Sequence, residues 1–90
     1  MTTDEQIDEI MDWFDFAKVA KTMEALEWTW YTSRGVPEEG EIRKHARSLM
    51  KQAVKKEYEY LGGGGFVVEY DKDAPLISLK FVVSEWSIAL

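Results

Sequence analysis

The chain predicts an α+β fold, α-α-β-α-β-β, with a small three-stranded antiparallel sheet packed on helices. Two helical periodicities, one hairpin of alternating residues and one aromatic alternating run carry that expectation. Its ninety residues make one domain, 1–90, and a content of 46% hydrophobic and 13% aromatic residues favours a packed core over disorder.

Residues 3 to 12 read as a short first helix. Thr3 or Asp4 serves as its cap, and acids fill the positive end of the helix dipole. Asp15 can cap a second helix, where Phe16, Val19, Met23 and Leu26 recur at helical spacing. The segment Glu27-Trp28-Thr29-Trp30-Tyr31-Thr32 is rich in strand formers and alternates, so it predicts a short strand. Ser33 to Pro37 is a turn, with Pro37 placed to open a third helix over about 38 to 60. Ile42, Ala46, Leu49, Met50, Ala53 and Val54 form its apolar stripe.

The run Gly62-Gly63-Gly64-Gly65 is expected to stop that helix and make a flexible connection. Residues 66–70 and 76–83 then predict an antiparallel hairpin around 71–75. In its second strand Ile77, Leu79, Phe81 and Val83 share one face while Ser78 and Lys80 share the other. The closing residues 85–90 end apolar, which suits a tail packed on a neighbour or on the chain's own sheet.

Composition bounds function mostly by exclusion. The absence of cysteine removes disulfides and thiolate metal sites and fits a cytoplasmic setting. The first residues carry neither a basic nor an apolar leader segment, and no apolar run approaches the ~20 residues that span a bilayer. A formal net charge of −6 argues against membranes and against direct nucleic-acid binding, since the overall field repels both.

That charge is unevenly spread. Residues 42–56 carry Arg43, Lys44, Arg47, Lys51, Lys55 and Lys56 with no acid, whereas residues 1–15 carry Asp4, Glu5, Asp8, Glu9, Asp12 and Asp15 with no base. Such a dipole suits a charged partner. Arg43, Arg47 and Lys51 follow one another at i, i+4 and make a candidate anion site, because guanidinium forks match phosphate or carboxylate. The bland alternative is a solvated face that pairs with Glu39, Glu57 or the acidic first helix. Trp28, Trp30 and Tyr31 are candidates for stacking on a base, against the ordinary fate of aromatics as core.

The glycine run follows a helix and precedes a strand, the reverse of a phosphate-binding loop. His45 is the sole histidine and lacks a second ligand nearby, so no metal or other cofactor is expected. Ser48, His45 and an acid show no nucleophile-elbow context, and a non-enzymatic protein is expected. Twelve aromatic residues on so short a chain favour a homodimer.

Several fragments form one pattern: Trp13-Phe14-Asp15-Phe16-x-Lys18-Val19, Met23-Glu24-Ala25-Leu26-x-Trp28-x-Trp30, Gly35-Val36-Pro37, Glu41-Ile42-Arg43-Lys44-x-Ala46-Arg47, and Leu79-Lys80-Phe81-Val82 with Glu85-Trp86. Over residues 13 to 86 the pattern resembles small proteins encoded by tailed bacteriophages and prophages. The resemblance brings no catalytic residues, and the glycine run is longer here than it implies. It does imply an accessory protein of the host-cell cytoplasm that antagonises a host defence by binding. Two mechanisms follow. Arg43, Arg47 and Lys51 with Trp28, Trp30 or Tyr31 could sequester a nucleotide-like anionic signal. Alternatively, Asp4, Asp8 and Asp12 could dock on a basic host protein and occlude it, as an anti-CRISPR-like inhibitor would.

Overall fold

A computed structural model describes residues 2–27 and 35–90 of the chain. Three helices, α1 (Thr3–Trp13), α2 (Phe16–Ala25) and α3 (Glu39–Lys56), precede four strands, β1 (Tyr60–Gly63), β2 (Phe66–Asp71), β3 (Leu76–Phe81) and β4 (Ser84–Ala89). The strands form one antiparallel sheet in the order β1-β2-β3-β4. The α+β class holds, but the three-stranded sheet does not. Strands form at both ends of the expected hairpin, and the expected strand at 27–32 has Glu27 in a turn while Trp28 to Thr32 lie outside the described residues.

The first two helices start where side chains satisfy free backbone N–H groups, whereas Glu38 at the start of α3 makes no side-chain cap bond. Thr2, one residue before the expected cap, accepts the Glu5 N–H through its hydroxyl at 3.2 Å, and Glu5 returns a contact to the Thr2 N–H at 3.4 Å. Asp15 accepts the Lys18 N–H at 3.0 Å, as its position predicts. α2 ends at Ala25, which leaves Leu26 outside the helix and 54% exposed instead of completing the apolar row.

α3 ends at Lys56, four residues short of the expected limit and before any glycine. Glu57 turns left-handed with φ 55°, and the Tyr58 N–H reaches back to the Ala53 carbonyl at 3.0 Å. The glycines serve the sheet instead. Gly62 and Gly63 pair with Val67 and Phe66, and Gly64 and Gly65 form the turn with φ 57° and 83°. Positive φ at both central residues is what a tight type I′ hairpin requires, and glycine reaches it without a Cβ clash. The terminal segment is β4, packed on its own sheet, and the Leu90 N–H extends its pairing by donating to the Pro75 carbonyl at 2.5 Å.

The core lies between the helices and one sheet face. Ile7, Ile10 and Met11 of α1, Phe16, Val19 and Met23 of α2, and Ile42, Ala46, Leu49, Met50 and Ala53 of α3 meet Phe66, Val68, Ile77, Leu79 and Phe81. A chain of aromatic contacts runs from Phe14 to Phe16 at 5.0 Å and from Phe66 to Phe81 at 5.1 Å. The three buried side chains of α1 contribute ~1.5–3 kcal/mol each, so apolar burial fixes this helix in place before any charge acts.

Candidate functional site

α3 presents three different sides. Its apolar row faces the core, and its neighbouring row, Arg43, Arg47 and Lys51, faces α1. There Arg43 contacts Asp12 at 3.6 Å, Arg47 contacts Asp8, and Lys51 contacts Asp4 at 3.7 Å. Both rows advance by one residue in four, and the helices run in opposite senses, so the two rows meet as a ladder.

The ladder is the pairing with the acidic first helix that the sequence offered as the alternative to an anion site. The expected anion-binding cations are the ion-pair partners of the expected docking acids. All six side chains stay partly exposed, from 31% for Arg47 to 73% for Asp12, so each pair contributes only ~0–1 kcal/mol. The Arg43 guanidinium also lies 5.2 Å from the centre of the Phe16 ring. Trp28, Trp30 and Tyr31, expected to stack on a base, lie outside the described residues.

The third side of α3 faces solvent, opposite the core. Lys44, Ser48, Lys51 and Lys55 succeed one another at spacings of four, three and four, and a shallow depression runs among them with Arg47, Gln52 and Lys56. Lys44 and Lys55 make no ion pair among the described residues. Gln52 donates to the Ser48 hydroxyl at 3.2 Å. This lysine row is legible as i, i+4, i+7, i+11 spacing.

His45 sits between α3 and β1, where its ring hydrogen-bonds the backbone of Gly63. A Cβ on Gly63 would come within 3.2 Å of His45 Nε2, so the bare glycine is what admits the ring. Burial lowers the His45 pKa below its usual 6.5, and the backbone hydrogen bond only partly opposes that. The arrangement is a packed boundary histidine.

At the end of α1, Trp13 is 63% exposed and lies against Trp86 of β4, ring centres 4.6 Å apart. The Trp86 indole nitrogen is buried and has no hydrogen-bond partner among the described residues. No group of three or more His, Cys, Asp or Glu side chains among the described residues could hold a metal ion. No helix among them is long and apolar enough to cross a membrane.

Fold and surface together define a small α+β protein with a charged three-helix layer on an antiparallel meander sheet. Comparisons with protein families, with curated proteins and with solved structures find no match.

Proposed function

We propose that the chain is a non-enzymatic binding protein that holds an anionic, nucleotide-like ligand on the solvent side of α3. The observation that carries this reading is the row Lys44, Ser48, Lys51 and Lys55, in which two lysines have no acid partner among the described residues although the chain as a whole bears −6. Arg43, Arg47 and Lys51 remain part of the proposed site. The ladder to α1 holds Arg43 and Arg47 beside the row and shares Lys51 with it, and the partial exposure of all three leaves donors for a phosphate. In the setting implied by the phage-like sequence pattern, the protein acts in the host cytoplasm and counters a host defence by sequestering such a signal.

A second reading, a protein that docks on and occludes a basic host protein, is favoured by one observation. Trp13 stands exposed at the end of the acidic α1, where an aromatic anchor beside Asp12 suits a protein interface. The acids of α1 would then serve both α3 and the partner.

Calorimetry with a panel of mono-, di- and cyclic nucleotides tests the first reading. Changing both Lys44 and Lys55 to Gln should weaken binding at least tenfold, since a charge-assisted contact contributes ~1.5–3 kcal/mol. Absence of binding across the panel, with retention of a host protein by the native chain and its loss on Trp13→Ala, would move the assignment to the second reading.

A further inference from the structure

The two edges of the sheet are treated differently, and the difference points to a partner. At β4, the bond from the Leu90 N–H to the Pro75 carbonyl sets the alternation. It turns the backbone of Ser84, Trp86 and Ile88 toward β3 and that of Glu85, Ser87 and Ala89 outward. α1 guards this edge. Gln6 Nε2 donates to the outward Ala89 carbonyl at 3.4 Å, and Trp13 covers Trp86.

At β1 nothing similar among the described residues stands in the way. The Tyr70 N–H donates to the Glu59 carbonyl at 3.3 Å, so Glu59, Leu61 and Gly63 face β2 while the N–H and C=O groups of Tyr60 and Gly62 point away from the sheet. None of the described residues bonds those outward groups. The strand has no proline, no lysine and no bulge, the usual guards of an open edge.

The side-chain pattern along β1 complements its own reverse. Tyr60 is 66% exposed, and Gly62, two residues on and on the same face, offers a bare notch. In an antiparallel pair centred on Leu61, each Tyr60 ring covers the opposite Gly62, an arrangement by which aromatics shield glycines in sheets. Leu61, half-buried on the helix side, meets its own copy. Glu59 falls opposite Gly63, so no like charges oppose one another within the strand pair.

We propose that β1 is the surface through which two copies of this chain associate, antiparallel about Leu61, to make one continuous eight-stranded sheet. The pairing forms about four new backbone hydrogen bonds from groups that are otherwise left to water. It stands independently of the ligand on α3, whose lysine row faces away from the sheet.

Sedimentation of the native chain at ~100 µM, where a micromolar dimer is nearly saturated, should give twice the chain mass. Leu61→Cys should cross-link to its own copy on mild oxidation, because facing positions at a non-hydrogen-bonded pair bring the two sulfurs within bonding range, and the chain has no other cysteine. Ser87→Cys at the guarded edge should not. Tyr60→Lys should stay folded and sediment as a monomer. A native monomer at that concentration would overturn the proposal. So would a native dimer that Leu61→Cys fails to cross-link or that Tyr60→Lys leaves intact.

Discussion

Replacing Arg47 by Gln and Asp8 by Asn, singly and together, isolates the middle rung of the α1–α3 ladder. Two unit charges in contact at roughly 4 Å attract by about 1 kcal/mol in water and about 4 kcal/mol at an effective dielectric of about 20. With the Arg47 side chain 31% exposed and that of Asp8 53% exposed, the rung lies nearer the aqueous limit. Fixing two flexible side chains removes part of even that gain. A coupling of ~0.5–1 kcal/mol is therefore expected, the upper end of what exposed pairs show. The cycle is read by urea unfolding of the four proteins at ~0.05 M and ~0.5 M salt, where screening shortens the Debye length to about 4 Å and should reduce the coupling by half or more. Each single variant should keep the fold, because Ile7, Ile10 and Met11 anchor α1 independently of charge. A coupling indistinguishable from zero at low salt, or one that salt leaves unchanged, would refute the ladder as an electrostatic contact.

Further outcomes follow from the backbone and from His45. Glu27 holds φ 52°, a conformation that costs a side-chain-bearing residue energy, so Glu27→Gly should raise stability by ~0.5–1 kcal/mol in the same urea assay. Burial lowers the His45 pKa, so the folded chain binds its proton less readily than the unfolded chain does. Its contribution to stability is therefore present above the unfolded value of 6.5 and falls as pH drops through 6.5 toward the lower folded value. Unfolding free energies measured from pH 7.5 down to 5.5 should show that slope in the native chain and a shallower one in His45→Gln.

Features that depend on neighbours along the chain were legible before any folding. Asp15 caps α2 because a carboxylate three residues before an N–H needs no distant partner. The row from Ile42 to Ala53 reads as one helix face because 3.6-residue periodicity is local, and the alternation from Ile77 to Phe81 reads as a strand for the same reason. The charge rows on α1 and α3 were legible, each at steps of four.

Features that an element acquires only by pairing with another element were less legible. Tyr60-Leu61-Gly62-Gly63 has weak strand propensity and becomes β1 only because β2 supplies the ladder, while the glycines supply the turn and admit His45. β4 did leave a signal in Trp86, Ile88 and Leu90 alternating with Glu85, Ser87 and Ala89, but its serines and its terminal position read as a tail until β3 paired with it. Above all, the sequence left open whether Arg43, Arg47 and Lys51 hold an anion or pair with the acidic first helix that carries Asp4, Asp8 and Asp12, since neither row contains its partner. Tertiary packing made them one surface: burial of the apolar faces of α1 and α3 against a common core set the two helices side by side with their charged rows in register.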